Sequence, residues 1–153
     1  MLRTFILDTI SVATGSMEPT LQVGNHYWVN RFVYRFRDPQ RGEIIVFRNP
    51  VDQEKGFIKR VIGIPGDEVE LRDKKVYLNG KLLEEPYTVY KRPGEQLAGD
   101  NLGPLKVPEA NLFVLGDDRD ESEDSTTWKD PKTGARIYYV PFQNIKGKLI
   151  QIP

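Results

Sequence analysis

Ser16 stands in Thr14-Gly15-Ser16-Met17-Glu18-Pro19-Thr20-Leu21, where an apolar-alternating run ends in a glycine and is stopped by a proline. A strand that breaks at a sharp turn lifts a serine Oγ clear of its neighbours, as a nucleophilic hydroxyl needs. The same residue types serve as helix punctuation, with Ser16 or Thr14 as N-cap and Pro19 at an early helical position. Serine before proline is common punctuation, so this stretch alone favours the cap. A base elsewhere in the chain must decide between the two readings.

Two residues offer themselves as that base. His26 is the one histidine, in Gly24-Asn25-His26-Tyr27-Trp28, and arithmetic allows a Ser-His-Asp triad. A lone histidine beside aromatics is more often structural. Lys59 lies in Phe57-Ile58-Lys59-Arg60-Val61-Ile62, where strand alternation puts Phe57, Lys59 and Val61 on one face and Ile58, Arg60 and Ile62 on the other. Each face then carries one cation between two large apolar side chains. Burial disfavours the charged ammonium and leaves lysine a lone pair near neutral pH, which arginine never has. A base on this strand is therefore Lys59. The alternative is a lysine whose head reaches solvent at the strand edge, and the two stand level here.

The run Gly116-Asp117-Asp118-Arg119-Asp120-Glu121-Ser122-Glu123-Asp124-Ser125 is dense in carboxylates. It lacks the glycine at the sixth position and the flanking helices of an EF-hand, which puts calcium last. A solvated turn is one alternative. Structural polar work is the other: Ser122 bonding a neutral lysine, and an Asp–Arg pair fixing the loop.

The elements that must position these residues read as strands. With 153 residues the chain makes one domain, residues 1–153. Lys plus Arg and Asp plus Glu are 22 each, a balance that argues against a nucleic-acid partner. No cysteine is present, which excludes disulfides and thiolate metal sites. No window approaches the ~18 apolar residues of a membrane span; Arg3 and Asp8 interrupt the N-terminal run, which also lacks the marks of a signal peptide. Thirteen glycines and eleven prolines punctuate short β-rich runs. Strands are predicted over Tyr27–Tyr34, Glu43–Phe47, Phe57–Ile64, Leu112–Leu115, Ile137–Val140 and Ile145–Ile150. A hairpin carries Val69, Leu71, Val76 and Leu78, with a turn at Asn79-Gly80. Residues 84–110 show no sustained period and read as loops and short edge pieces, so that about 68–111 forms a hairpin and loop insertion or flap. No 3.6-residue period persists. The expected class is all-β, mainly antiparallel, with at most short helical turns.

Four blocks in order resemble the bacterial type I signal peptidases: Thr14 to Leu21, Arg41-Gly42-Glu43-Ile44-Ile45-Val46-Phe47, Phe57-Ile58-Lys59-Arg60-Val61-Ile62-Gly63-Ile64-Pro65-Gly66-Asp67, and Gly116 to Ser125. The closing Val140 to Lys148 is similar to that family's last strand. The resemblance implies the signal-peptidase/LexA-like fold and a membrane-bound serine protease that removes signal peptides from exported proteins. It implies Ser16 as nucleophile and Lys59 as general base, with the Ser16 backbone N–H and the Thr14 hydroxyl stabilising the oxyanion. Ser122 would orient the lysine and Asp124 support that loop. Val12, Met17, Leu21, Phe57 and Ile58 would line shallow pockets that admit small side chains at the first and third positions before the cut, an Ala-X-Ala preference. No cofactor or metal is implied. The partners implied are signal peptides of secreted preproteins and the membrane surface, with the catalytic domain on the extracytoplasmic side. The family's N-terminal membrane helices are expected to be absent from the sequence as given.

Three positions depart from the family's pattern: Asp118 and Glu121 stand where asparagine is usual, and Thr126 where arginine is usual. Added negative charge near Lys59 is expected to raise its pKa, and Asp124 is expected to lose a partner. Two other functions remain in view: a catalytically idle peptide-binding homologue, and a self-cleaving regulator of the same fold with a cut at Ala98-Gly99. Retention of both Ser16 and Lys59 argues against the former. The absence of DNA-binding helices before Ser16 argues against the latter.

Overall fold

Short β-rich runs fold, over the residues 7–150 that the computed structural model describes, into two antiparallel sheets. The strands are β1 (Leu7–Ser11), β2 (His26–Asn30), β3 (Ile44–Arg48), β4 (Gly56–Gly63), β5 (Glu68–Arg72), β6 (Lys75–Leu78), β7 (Lys81–Leu82), β8 (Leu102–Lys106), β9 (Asn111–Leu115), β10 (Val140–Pro141) and β11 (Ile145–Ile150). One sheet has the order β1-β2-β11-β3-β4-β9-β10 and the other β7-β6-β5-β8. The only helical pieces among the described residues are four three-residue 3-10 turns. This is the all-β class expected from the sequence.

Strand β3 explains the centre of the larger sheet. Ile44, Ile45, Val46 and Phe47 are all buried, so both faces are covered, as a continuous apolar run requires. Phe47 and Ile45 pack with Val61, Leu112, Val114 and Val140, and Trp128 meets the Phe47 ring edge-on at 6.0 Å. On the opposite face, Ile62, Phe113 and Leu115 join Val69, Leu71 and Val76, a core that binds the second sheet to the first. A third cluster of Val12, Met17, Leu21, Ile44 and Leu149 lies under the turn that carries Ser16.

Two sequence expectations need correction. The strand predicted over 27–34 ends at Asn30, because the Asn30 Oδ1 accepts bonds from the Phe32 and Val33 N–H groups at 2.9 and 3.0 Å. That local bond turns the chain into the 3-10 turn Val33–Arg35. Within 84–110, read as loops and short edge pieces, β8 is such an edge strand against β5, where the missing donor of Pro104 is tolerated. Of the strand predicted over 137–140, only Val140 pairs in a sheet, together with Pro141. Ile137 instead donates its N–H to the Trp128 carbonyl at 3.0 Å. The Asn79-Gly80 turn forms as expected, with φ of 52° and 84°. Asp73-Lys74 makes a second such turn without glycine, held by bonds from the Asp73 N–H to Asn101 Oδ1 and from the Lys74 N–H to the Asp100 carbonyl.

Candidate active site

Ser16 lies in the 3-10 turn Gly15–Met17, immediately after the extended Thr14. No side chain caps this turn, so the punctuation reading fails at its defining bond. Met17 and Leu21 are fully buried beneath it and anchor it to the sheet. Upstream, Val12 is pinned by backbone bonds to Asn25 and Gly24, which fixes how β1 leads into the turn.

Lys59 reaches the same point from the middle of β4. Its side chain is 3% exposed, and its Nζ is 2.7 Å from Ser16 Oγ. The Phe57 ring centroid is 5.2 Å from the amine, and Thr14 Oγ1 lies 3.4 Å from Ser16 Oγ. Burial pushes the Lys59 pKa down to about 8, against the opposing pull of the Asp124, Glu123 and Asp117 charges. An amine in this state can take a hydroxyl proton near neutral pH and return it.

Alternation along β4 sends Arg60 to the other face, where it too is buried. Its guanidinium bonds both Asp117 oxygens at 2.9 and 2.7 Å and the Gly42 carbonyl at 2.9 Å, and covers the Tyr87 ring at 3.7 Å. Thr20 Oγ1 donates to Asp117 Oδ2 at 2.5 Å. The two cations of one strand thus have opposite environments: the arginine is paired with a carboxylate, whereas the lysine faces a hydroxyl and apolar groups. His26 is exposed and lies outside the cleft that holds Ser16.

The acidic loop closes the other side. The Asp118 N–H donates to the Ser16 carbonyl at 2.9 Å. Asp124 is buried; its Oδ2 accepts the Gly116 N–H at 3.1 Å, and its Oδ1 accepts the Thr126 N–H at 2.9 Å and hydroxyl at 2.7 Å. Thr126 therefore supplies Asp124 with a side-chain donor, which corrects the expectation that Asp124 loses its partner there. Ser122 Oγ is buried and makes no hydrogen bond; the bond from Lys59 goes to Ser16. The added acids are matched: Lys91 stands 2.7 Å from Asp118, and Arg92 bonds Glu121. The carboxylates that raise Lys59 are Asp124, Glu123 and Asp117, so the charge expected from Asp118 and Glu121 is not what acts on it. Asp120 pairs with Lys74 at 2.7 Å, and these contacts give the loop the polar structural work weighed above.

Ser16 and Lys59 open onto a cleft of about 300 Å³. Val12, Met17, Leu21, Phe57 and Ile58 all line it, with Thr14 beside the hydroxyl and Glu121 and Glu123 on the loop side. Asp124 and Ser122 stand behind, on a separate small cavity that also holds Ala98 and Gly99. A larger depression of about 710 Å³, between Arg31, Phe32 and Gln143, contains neither member of the pair and no buried base. The sequence reading missed Thr20, Glu85, Lys91 and Arg92, whose contacts join distant segments and leave no local pattern.

A buried serine–lysine pair beside an apolar cleft, in an all-β frame, sets an amine that can exchange a proton against a hydroxyl, with no histidine beside them. The chain belongs to the signal peptidase family, peptidase S26, whose model matches residues 1–152. A Synechocystis protein described as probable signal peptidase I-2 is 44% identical over 133 residues, covering 83% of this chain and 58% of that protein. The signal peptidase I of Pseudomonas aeruginosa is 35% identical over 188 aligned positions, covering 99% of this chain and 66% of that protein. The crystal structure of a signal peptidase I from Enterococcus faecalis superposes with a TM-score of 0.56 at 31% identity, over 73% of this chain and 97% of that one. The chain spans 58% and 66% of the length of the two sequence relatives.

Proposed function

We propose that this chain is a serine endopeptidase that removes N-terminal signal peptides from exported proteins, with Ser16 as nucleophile and Lys59 as general base. The observation that carries the reading is the 2.7 Å approach of Lys59 Nζ to Ser16 Oγ, with the amine buried and its pKa lowered to about 8. Neutral Lys59 takes the Ser16 proton as Oγ adds to the scissile carbonyl. The same proton then goes to the leaving amine as the tetrahedral intermediate collapses to an acyl-enzyme. Water, deprotonated by the neutral amine, releases the signal peptide and regenerates the hydroxyl. The Ser16 N–H and the Thr14 hydroxyl stabilise the oxyanion. Asp124 holds the loop behind the lysine, and Ser122, whose buried hydroxyl has no hydrogen-bond partner, is free to bond the amine and orient it as it changes charge.

Val12, Met17, Leu21, Phe57 and Ile58 form the side-chain pockets. A rigid apolar wall rejects large residues by overpacking, which supports cleavage after Ala-X-Ala. The partners are preproteins bearing signal peptides, met at the membrane surface with this domain on the extracytoplasmic side. The exposed Trp28 and Phe36, 44% and 84% accessible, support contact with a lipid interface.

Cleavage of a synthetic signal peptide ending in Ala-X-Ala tests the reading, with release of the two fragments followed by mass. Wild type cleaves at that point, while Ser16→Ala and Lys59→Ala do not. An inactive wild type would return the chain to an idle peptide-binding role, and activity in Lys59→Ala would exclude the dyad. Self-cleavage is disfavoured by the packing of Gly99, where a Cβ would stand 2.6 Å from Thr126 Oγ1.

A further inference from the structure

The acidic loop is tied to the Ser16 turn by one backbone bond and, besides its contacts with Thr20, Arg60 and Lys74, to the segment around Val89. Val89 inserts between two turns of the loop: its N–H donates to the Asp117 carbonyl, and its own carbonyl accepts the Arg119 N–H, each at 3.0 Å. On either side of Val89 the charges are matched. Glu85 pairs with the buried Arg119, Lys91 with Asp118, and Arg92 with Glu121, while the Arg92 N–H bonds Asp120 Oδ2 at 2.8 Å. Tyr87 in the same segment lies under the guanidinium of Arg60, whose carboxylate partner is Asp117.

Within this frame Asp118 is the exposed weakness. Its carboxylate is 1% accessible and neither oxygen accepts a hydrogen bond, so the ammonium of Lys91, 2.7 Å away, is its one compensation. The contact is one of charge rather than an aligned hydrogen bond. A buried carboxylate without a counter-ion must take a proton or move toward water. Either response displaces the residue whose N–H holds the Ser16 carbonyl at 2.9 Å. We propose that Lys91 is a positioning residue for the Ser16–Lys59 pair, acting through Asp118 to keep the acidic loop seated on the nucleophile's turn. The proposal rests on the reading of that pair as a peptidase site.

The charged groups around the two ends are few. Glu18 and Glu121 act on Lys91 besides Asp118. Asp117, Glu123 and Asp124 act on Lys59, with Glu121 on the same cleft and Arg60 on the opposite face of its strand. Where Asp118 answers the loss of the Lys91 cation by moving toward water, it leaves a net negative charge near the amine and so favours its protonated form.

A double-mutant cycle on the whole chain tests this, with Lys91→Met, Asp118→Asn and the pair combined, reading kcat, KM and the pH profile on the Ala-X-Ala peptide. Lys91 is half-exposed, so its replacement leaves the core intact. Lys91→Met lowers kcat by about tenfold with KM within about twofold, and moves the acid limb up by about half a pH unit. Asp118→Asn alone is within about twofold of wild type, and in the Lys91→Met background it restores both rate and limb. Lys91→Arg keeps wild-type behaviour. An unchanged Lys91→Met enzyme, or a double variant no better than Lys91→Met, overturns the proposal. The urea midpoints of the same four proteins report the coupling independently of any cleavage: additive midpoints overturn the proposal as well. Coupled midpoints in a chain that cleaves nothing would retain the Lys91–Asp118 link while the peptidase reading fails.

Discussion

Lys59 Nζ and Ser16 Oγ, 43 positions apart in sequence, meet at 2.7 Å with both residues buried. One comes from the centre of β4 and the other from a turn pressed onto the sheet by Met17 and Leu21. Burial lowers the pKa of the amine, which among the described residues has a single hydroxyl partner and no carboxylate in contact.

The first consequence is a pH–rate profile with an acid limb centred near pH 8. In the proposed dyad the lysine is neutral when it accepts the Ser16 proton, and burial lowers its pKa from the usual 10.5 to about 8. Below that midpoint kcat/KM falls about tenfold per pH unit as the active fraction falls. Measurement of kcat/KM on the signal-peptide substrate from pH 5 to 10 checks this. A limb centred near the ordinary carboxylate or histidine range would assign the base to another group.

The second concerns stability. A base whose folded pKa is depressed destabilises the fold wherever the folded group is protonated, and the cost is complete below the folded value. For Lys59, lowered from 10.5 to about 8, the cost is ~3 kcal/mol below pH 8 and fades as the pH rises to 10.5. Lys59→Met removes that cost and the bond to Ser16, the latter worth ~1 kcal/mol. The expected outcome at pH 7 is an inactive protein more stable by about 2 kcal/mol, with Tm higher by roughly 4–8 °C. Thermal melts of both proteins at pH 7 and pH 10 read it: the gap narrows at the higher pH. A destabilised Lys59→Met variant would mean that the amine is better accommodated than its burial indicates.

How far these relationships could be read in advance depends on their range in the chain. Alternation along Phe57 to Ile62 placed Lys59 and Arg60 on opposite faces between apolar neighbours, since a strand has only two faces. It could not say which cation would meet a carboxylate, because Asp117 arrives from 57 residues away. The end of the strand at Asn30 was missed because a side-chain bond overrides local propensity there. The acidic loop read as a source of negative charge on Lys59. Its matching cations at Lys91 and Arg92 come from a segment without periodicity and that at Lys74 from a hairpin turn, and their pairing appears only once the chain is folded. Four blocks with family resemblance gave the Ser16–Lys59 pair; Thr126 as a donor to Asp124 depended on geometry alone.

The third expectation is a relaxed cleft in Ile58→Ala. Ile58 is half-buried and lines the cleft beside Phe57, so truncation opens space at the wall without hollowing the centre of the core. Peptides with valine in place of alanine at the first or third position before the cut gain about tenfold in kcat/KM relative to the alanine peptide. Stability falls by about 1 kcal/mol. A competition assay with the two peptides in one tube reports the ratio directly. An unchanged ratio at both positions would remove Ile58 from the specificity wall.

Gly116 gives the strictest steric test of the site. A Cβ at this position would stand 2.3 Å from Ser122 Oγ and 2.6 Å from the Ser16 carbonyl oxygen. Ser122 Oγ could turn away, but Ser122 Cβ, at 2.6 Å, would not move with it, and the Ser16 contact is backbone, on the residue proposed as nucleophile. Gly116→Ala must therefore part the acidic loop from the Ser16 turn. A displacement on the order of 1 Å at the reacting group lowers kcat by about a hundredfold, while overpacking costs about 1–3 kcal/mol of stability. Gly94→Ala is the matched control, since nothing lies within 4 Å of a Cβ there; its activity stays at the wild-type level. Kinetics and urea denaturation on the two variants separate the effects. If Gly116→Ala loses stability but keeps kcat, the seating of the loop on Ser16 does not govern the geometry of the reacting pair.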